Sequence, residues 1–343
     1  MVNREGLSTR AYIVRELRKE PGSRVRGENL AAGLGLSRVA VWKGVQSLIA
    51  AGYPITSAES GYCLAAGQED PLYPWEFGER EGLFRCFDST GSTMDRAREY
   101  AETPGRQVPA GLGPFMVFTA ETQSAGRGRS GRNWASEPGG LFFTVLESPG
   151  LALADYPVFS MKAQIAAART VEALTGKRAG LRWPNDVYAG GGKIAGILTE
   201  LSGEENRLRW IAAGVGINVN NFSPVSDGSG PGRALSCAEL AGRRLSRREG
   251  LALFLGEMEK LRDADARELR DLWTSRAGGI GAQVSLIPAE HGEDKERGKT
   301  RVVGRGIFLG IDSRFRCRIG PCSGTAGPRA YPPGTVSLIY HGV

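Results

Sequence analysis

Hydrophobic positions at the start of the chain recur with helical spacing in three short segments. These segments cover residues 9–19, 30–36 and 37–49. Gly35 lies at the turn between the second and third segments, and Ser37 precedes the third in the position of an N-cap. A strand pair ending in GYCL follows. The pattern therefore predicts two helices joined by a tight turn, with a hairpin wing behind them.

The middle of the chain mixes strand and helix patterns. The runs PFMVFTAETQ, GGLFFTVLES, KIAGILTEL and WIAAGVGIN have the apolar runs or alternation of strands. Residues 156–174 have helical spacing, and further helices with apolar faces are predicted in residues 235–273. From residue 281 onward the pattern changes to short strands separated by polar or glycine-rich stretches. We expect an α+β protein that ends in a small, SH3-like β-barrel.

Composition indicates a globular protein but does not indicate its function. The 343 residues are 41% hydrophobic and 24% charged, which suits two or three globular domains. The net charge of +7 fits nucleic acid or phosphorylated small molecules equally well as ligands. Because no 18-residue apolar run or signal-peptide core is present, we expect a cytoplasmic protein without a membrane partner.

The cysteines and histidines exclude several kinds of site. Five scattered cysteines argue against a disulfide framework, and no metal site is predicted from their spacing. The two histidines, His291 and His341, lie near the C-terminus and far from the motifs described below. A histidine general base is therefore not expected.

A loop that alternates glycine with arginine, GRGRSGRNW, carries the strongest chemical signal. It contains Gly126, Arg127, Gly128, Arg129, Gly131 and Arg132, and it ends at Trp134. Glycine lets the backbone approach a ligand closely, and each guanidinium offers a planar fork of donors to a phosphate or carboxylate. The loop is thus suited to bind an anion, with Trp134 as an aromatic wall. A solvated basic loop or an RGG-like nucleic-acid tether is the alternative.

Two downstream segments offer further ligand-binding groups. In RWPNDVYAGGGK, a turn at Pro184 displays Asn185 and Asp186, and Lys193 opens the next strand beside a glycine turn. A lysine in this position can meet a buried anion, although an edge-strand lysine that prevents aggregation is the alternative. In GVGIN, glycines permit close approach and Asn218 supplies an amide.

The third N-terminal helix presents a polar face suited to DNA. Its candidate contacts to phosphates or base edges are Ser37, Arg38, Trp42, Lys43 and Gln46. Residues 1–66 contain nine Lys or Arg against five Glu, so a basic excess is concentrated here. A helical docking module with a solvated basic face is the alternative interpretation.

The motifs GRGRSGRNW, RWPNDVY with KIAGILTE, and GVGIN, in this order, resemble the catalytic domain of biotin protein ligases. The stretch LAAGLGLSRVAVWKGVQSLIAAGY followed by GYCL resembles the winged helix-turn-helix of the bifunctional members, which binds the operator of biotin genes. The resemblance covers almost the full chain. It implies a winged helix-turn-helix in residues 1–66 and a linker in 67–80. A mixed-sheet, class II synthetase-like ligase domain in 81–276 and an SH3-like domain in 277–343 would follow.

The resemblance implies a two-step reaction. Biotin is activated with ATP to biotinyl-5′-AMP and is then transferred to a lysine of a biotin carboxyl carrier protein, in acetyl-CoA carboxylase or another carboxylase. ATP and biotin are the substrates, and Mg²⁺ arrives with ATP. Operator DNA and a homodimer promoted by biotinyl-5′-AMP are the other implied partners. The alternatives are a ligand-sensing transcription factor with a degenerate ligase domain, a ligase whose N-terminal module does not repress, and a lipoate ligase.

The resemblance also assigns site residues. For biotin they are Ser92, Thr93, Met94, Gln123, Arg127, Gly128, Arg129 and Lys193. For ATP and the adenylate they are Arg127, Arg129, Arg132, Trp134, Asn185, Lys193 and Asn218, and the catalytic residues are Lys193, Arg129 and Asp186. Met94 stands where the family usually has asparagine, and Ser130 where it often has a third basic residue. A second register of the Ser-Thr motif, on 88–90, is open, but the helix pattern of 95–97 favours Ser92.

Overall fold

The fold is that of a computed structural model, which describes residues 6–65, 70–109, 115–148, 152, 156–221, 234–288, 293–294, 299–312, 314–323 and 327–341. It divides into two compact units. They are the N-terminal unit, Met1–Cys86, and the C-terminal unit, Phe87–Val343. Each is described here by itself.

The N-terminal unit is a helix-turn-helix with a wing, as predicted. Its elements are α1 (Thr9–Lys19), α2 (Gly27–Leu34), α3 (Arg38–Ala50), β1 (Ile55–Ala58) and β2 (Gly61–Leu64), of which the two strands pair antiparallel. Gly35 ends α2 with φ +64°, a left-handed conformation that glycine adopts without strain. Ser37 begins α3, because its Oγ accepts a hydrogen bond from the Ala40 amide at 3.2 Å. Local sequence signals thus fix the turn that orients α3.

The core of this unit comes from one apolar face of each helix. Ile13, Leu30 and Val45 are among its buried residues. A 3-10 segment, Pro74–Leu83, packs on α1, and its Glu76 accepts a hydrogen bond from Arg18 Nη2 at 2.7 Å. Part of the stretch predicted to be a linker therefore belongs to the N-terminal unit. The four predicted domain ranges stay a prediction.

A seven-stranded sheet forms the centre of the C-terminal unit. Its strands are β3 (Phe84–Thr90), β4 (Met116–Gln123), β5 (Leu141–Glu147), β6 (Gly180–Arg182), β7 (Asp186–Ala189), β8 (Gly192–Glu204) and β9 (Arg207–Ile217). Their order is β3-β4-β5-β9-β8-β7-β6, and the pairs from β4 to β6 are antiparallel. Between β3 and β4, Thr122 contacts Asp88 and Ser124 contacts Thr90, a constant offset that marks a parallel pair. The sheet is therefore mixed, as expected.

Five helices accompany the sheet: α4 (Thr93–Glu102), α5 (Tyr156–Thr175), α6 (Cys237–Ala241), α7 (Arg247–Lys260) and α8 (Ala266–Thr274). The long helix α5 contacts strands β6 to β9 as well as α7 and α8. It buries the predicted apolar stripe of Met161, Ile165, Ala168, Val171 and Leu174. Helix α4 covers β4, β5 and β9, which brings its N-terminus to the sheet.

The C-terminal strands form an antiparallel sheet. They are β10 (Gln283–Pro288), β13 (Gly304–Ile311), β14 (Cys317–Gly320), β15 (Arg329–Tyr331) and β16 (Val336–Tyr340), and β11 (Glu293–Asp294) pairs with β12 (Lys299–Thr300) beside them. The order of the larger sheet is β15-β14-β13-β10-β16. Its two edge strands are not paired with each other among the described residues. The predicted C-terminal region thus contains a five-stranded antiparallel sheet, and its closure into an SH3-like barrel stays a prediction.

All five cysteines are free thiols in this structure. No helix in the described parts of the chain is both long and apolar enough to span a membrane.

Candidate active site

A cavity of about 500 Å³ opens in the C-terminal unit. The structure brings together at its wall every residue that the sequence assigned to the ligands or the chemistry. They are Ser92, Thr93, Met94, Gln123, Arg127, Gly128, Arg129, Arg132, Trp134, Asn185, Asp186, Lys193 and Asn218. These residues come from four separate stretches of the chain.

One end of the cavity is a hydrogen-bonded cluster at the start of α4. Ser92 caps the helix, since its Oγ accepts from the Met94 amide at 3.2 Å. The Thr93 amide and Oγ1 donate to Gln123 Oε1 at 2.8 and 3.2 Å. Gln123 Nε2 in turn donates to Ser136 Oγ at 2.8 Å. Because Thr93 and Gln123 are held from both sides, this end of the cavity presents fixed polar groups to a ligand.

The two possible registers of the Ser-Thr motif differ in placement. Ser92, Thr93 and Met94 are buried and line the cavity, with Met94 Cε close to Gly214. Residues 88–90 lie outside the cavity lining, and Asp88 and Ser89 are exposed. Geometry thus favours the register on Ser92.

The glycine and arginine loop folds back on itself. The Gly128 amide donates to the Arg132 carbonyl at 2.7 Å, and the Trp134 amide donates to the Gly126 carbonyl at 2.9 Å. Arg127 Nη2 lies 2.6 Å from Asp95 Oδ1 and 3.5 Å from a carboxylate oxygen of Glu200. The loop is therefore an ordered wall of the cavity, with Arg127 ion-paired across its mouth.

Trp134 lies on two glycines of the central sheet. A Cβ at Gly216 would stand 2.4 Å from the indole Nε1, and one at Gly196 would stand 2.8 Å from the ring. Only bare backbone at both positions leaves room for the indole in this place. The indole Nε1 is buried and has no hydrogen-bond partner among the described residues. Trp134 thus forms an aromatic wall, as predicted from its place after the loop.

Lys193 and Asp186 form the charged centre of the cavity. Lys193 Nζ lies 2.8 Å from Asp186 Oδ1 and 5.3 Å from the centroid of the Trp134 ring. The pair is half-buried, and the hairpin of β7 and β8 aligns it. Asn185 Nδ2 ties the same hairpin by donating to the Ile197 carbonyl at 3.0 Å. The ammonium group is thereby held at a defined point between the loop and the sheet.

Arg129 extends into a desolvated place. Its Nη1 is buried and has no hydrogen-bond partner among the described residues. Burial lowers the pKa of this guanidinium, while the negative charge of Asp186 acts in the opposite sense. Since arginine stays protonated in proteins, Arg129 carries a positive charge with unused donors. A buried donor of this kind favours an anionic ligand.

The sequence analysis missed one side of the cavity. Arg182 and Tyr188 line it from β6 and β7, and the C-terminal sheet adds Ile287, Ser337, Leu338, Ile339 and Tyr340. Arg182 directly precedes the WPND turn, so it could have been found as a further cation of that motif. Nothing in the local pattern of β16 signals a ligand, because its role depends on contacts between distant parts of the chain.

No three His, Cys, Asp or Glu side chains within the described ranges lie close enough to hold a metal ion together. Asp186 is the one carboxylate among the described residues that line the cavity.

The candidate DNA face lies on the N-terminal unit. Ser37, Arg38, Trp42, Lys43 and Gln46 are all exposed. Val39, which the sequence analysis did not single out, is 62% exposed beside Trp42, which is 51% exposed. Large apolar side chains that stay in solvent next to cations are suited to contact a partner surface.

Comparisons with known proteins identify the family of the chain. The Biotin/lipoate A/B protein ligase family matches residues 113–218, and an HTH domain family matches residues 9–63. The bifunctional ligase/repressor BirA of Bacillus spizizenii is 31% identical, over 78% of this chain and 84% of the relative, and that of Bacillus subtilis is 30% identical, over 76% and 81%. A biotin protein ligase from Aquifex aeolicus, solved with biotin and ATP, superposes with a TM-score of 0.57 at 25% identity, covering 75% of this chain and 99% of that one. This chain therefore belongs to the biotin protein ligase family and, like the bifunctional ligase/repressors, carries a helix-turn-helix domain before its ligase domain.

Proposed function

We propose that the chain is a biotin protein ligase that forms biotinyl-5′-AMP from biotin and ATP and transfers biotin to a lysine of a biotin carboxyl carrier protein. The observation that carries this proposal is the cavity itself, which joins fixed polar groups, an aromatic wall and four cationic side chains from the assigned motifs. A ligand with a polar bicyclic head and a carboxylate, followed by a nucleotide, fits this order of groups.

Biotin would occupy the end of the cavity at α4. Ser92, Thr93 and Gln123 present hydroxyl and amide groups to its ureido ring, and apolar neighbours such as Met94 and Leu198 surround it. Arg127, Gly128 and Arg129 would close over biotin and the adenylate. The valeryl chain then directs the carboxylate toward Lys193.

Adenylation requires that two anions meet. An oxygen of the biotin carboxylate attacks the α-phosphorus of ATP, and the bond from that phosphorus to the bridging oxygen breaks, so pyrophosphate leaves with the electron pair. Positioned cations accelerate such a step, because negative charge develops on the phosphoryl oxygens. Lys193 would contact the carboxylate and the α-phosphate, Asp186 would orient Lys193, and Arg129 and Arg132 would bind phosphate oxygens. Trp134, Asn185 and Asn218 would hold the adenylate side.

Mg²⁺ would arrive with ATP. A site of one protein carboxylate plus substrate phosphates is typical for this ion, and Asp186 is placed to supply that carboxylate. When bound, the ion would neutralise part of the phosphate charge.

Transfer needs no protein nucleophile. The amine of the carrier lysine attacks the acyl carbon of the mixed anhydride, and AMP leaves. The leaving group is good enough that orientation and charge stabilisation suffice. An enzyme that modifies carboxylases in this way would act in the cytoplasm.

The decisive experiment is biotin-dependent exchange of labelled pyrophosphate into ATP, followed by addition of a carrier domain. We expect both exchange and transfer. Exchange with lipoate in place of biotin would favour a lipoate ligase. Binding of biotin without any exchange would favour the ligand-sensing transcription factor.

The N-terminal unit would bind operator DNA through α3, and a homodimer promoted by biotinyl-5′-AMP would align two such helices on a two-fold site. Exposed Arg38 and Lys43 suit phosphates, while Gln46 and the apolar Val39 and Trp42 suit base edges.

Lys43→Ala tests this surface. Each Lys43 that contacts a phosphate adds about one to the slope of log affinity for operator DNA against log salt, so the slope of the proposed dimer should fall by about two, whereas Arg15→Ala on α1 should leave it unchanged. Equal slopes for the wild type and Lys43→Ala would remove Lys43 from the interface. A protein that binds no biotin-gene operator at all would be a ligase whose module does not repress.

For the remaining residues, 277–343, we keep the SH3-like class as a proposal. It is supported by five antiparallel strands of the right number and length.

A further inference from the structure

Arg182 is a cation of the cavity that the assigned motifs do not include. It ends β6, at the edge of the central sheet farthest from β4, and its side chain lines the cavity. Its guanidinium carbon lies 4.0 Å from the centroid of the Tyr188 ring and 5.5 Å from that of Tyr340. Stacking against aromatic faces holds a guanidinium in place without neutralising it.

Four of the five cations that line the cavity in the described part of the chain fall into two kinds. Arg127 and Lys193 each have a carboxylate within 3 Å, from Asp95 and Asp186. No carboxylate of the described residues lies within ion-pair distance of Arg182 or Arg129. Burial also raises the pKa of both tyrosines beside Arg182, so their hydroxyls stay neutral at neutral pH. The positive charge of Arg182 is therefore available to a ligand.

The expected direction of the displacement would place the pyrophosphate leaving group beside Arg182. The biotin end of the cavity lies at α4 and β4, and Lys193 lies at the start of β8, between β4 and β6 in the order of the sheet. In an in-line displacement the leaving group departs on the side opposite the attacking oxygen. With biotin in its proposed site, the carboxylate would approach from the β4 side, and the leaving group would extend toward β6. The adenosine would lie elsewhere, against Trp134, which packs on β8 and β9.

We propose that Arg182, held against Tyr188 and Tyr340, binds the pyrophosphate portion of ATP and stabilises it as it leaves. Residues of β16 then complete the active site, because Tyr340 and its neighbours close the wall behind this subsite. The inference rests on the proposed ligase function and adds to it a residue for the leaving group and a role for the C-terminal sheet.

The test separates the two half-reactions in the full-length protein. Pyrophosphate takes part only in adenylation, so Arg182→Ala should raise the inhibition constant of inorganic pyrophosphate and slow adenylate formation, each by about tenfold or more. Transfer from preformed biotinyl-5′-AMP to the carrier domain, and binding of biotin without ATP, should stay within about twofold of wild type. Arg182→Lys should recover part of the adenylation rate, since it restores charge without the planar fork.

Arg305→Ala is the matched control, since Arg305 is an exposed arginine of the C-terminal sheet outside the cavity. It should match wild type in every assay. Biotin binding reports correct folding, and Arg182→Gln replaces the alanine variant if that variant binds no biotin.

Unchanged pyrophosphate inhibition in a folded Arg182 variant would overturn the subsite. Equal loss of adenylation and transfer would overturn it as well, because a leaving-group contact cannot affect transfer. A wild-type protein without biotin-dependent exchange would instead refute the ligase function on which the inference rests.

Discussion

Individual charges in the cavity are set by their nearest partners. Lys193 has one carboxylate at 2.8 Å and an aromatic ring at 5.3 Å, so its ammonium group has a fixed position and retains donors for a ligand. A lysine that bridges a carboxylate and a phosphate must lie where both can reach it. Removal of Lys193 is therefore the most direct test of the proposed chemistry.

Lys193→Ala should lower the rate of adenylate formation by more than tenfold, because a charge-stabilising contact of the transition state is lost. The assay is pyrophosphate release with biotin and ATP. Lys260→Ala is the control, since Lys260 is a largely exposed lysine on α7. Unchanged pyrophosphate release by Lys193→Ala would exclude the proposed role.

Glu147 should make stability depend on pH. Burial raises the pKa of this carboxyl from its ordinary 4.5 to about 7, although the nearby Lys162 and Arg262 oppose the shift. The folded state thus holds a proton that the unfolded chain releases above pH 4.5. The contribution of Glu147 to stability is greatest below that pH and falls until the pH passes about 7, by a total of about 3 kcal/mol.

Glu147→Gln, whose side chain cannot ionise, should reduce the fall in the free energy of unfolding between about pH 4.5 and pH 7. Urea unfolding at intervals from pH 4 to pH 8 measures it. A wild-type and variant pair with parallel profiles would show that Glu147 does not titrate in this window.

At the scale of elements, strands β8 and β9 act as a floor for Trp134. Their adjacent glycines, Gly196 and Gly216, are register partners, and both lie under the indole. A side chain at either position would push the indole into the cavity. Through these two glycines the strands fix the position of the aromatic wall, in addition to the ligand-facing side chains, such as Lys193, that β8 carries.

Gly216→Ala should raise the KM for ATP and lower stability by about 1–3 kcal/mol, since its Cβ would overlap the indole. Gly256→Ala, in the interior of α7 with open space around it, should keep the KM and gain up to about 1 kcal/mol. Steady-state kinetics and thermal unfolding compare the two. An unchanged KM in Gly216→Ala would mean that Trp134 does not contact the nucleotide.

The whole molecule carries a candidate ligand cavity in the C-terminal unit and a candidate DNA surface in the N-terminal unit. If biotinyl-5′-AMP promotes the proposed homodimer, DNA affinity depends on the product of the cavity and not on its substrates. Lys193→Ala can distinguish control of DNA affinity by the adenylate from control by biotin and ATP, because the variant is impaired in forming the adenylate.

With biotin and ATP, Lys193→Ala should bind operator DNA at least about tenfold more weakly than wild type, while biotinyl-5′-AMP added at a concentration that saturates the variant should restore binding. Fluorescence anisotropy with labelled operator measures both conditions. If the DNA affinity of the wild-type protein does not change when biotinyl-5′-AMP is added, adenylate binding and DNA binding are not coupled.

Much of the architecture could be predicted because its signals are local. Helical spacing, the Gly35 turn and the Ser37 cap act within a few residues, and they predicted the helix-turn-helix that the structure has. The alternation in KIAGILTEL likewise predicted a strand of the central sheet. Closure of the C-terminal sheet into a barrel stays a prediction, since it depends on pairing between β15 and β16, which no local pattern specifies.

The sequence by itself determined the chemistry that the cavity offers, because residue types at short spacing define a motif. The glycine and arginine loop, the WPND turn and Lys193 were all recognisable before any fold was known. Only the tertiary structure decided which groups oppose one another: Arg127 with Asp95, Trp134 with Gly216, and Arg182 with Tyr340. These partners are 32 to 158 residues apart along the chain. Contacts at such separations arise from packing of the whole unit, so local periodicity in the sequence does not predict them.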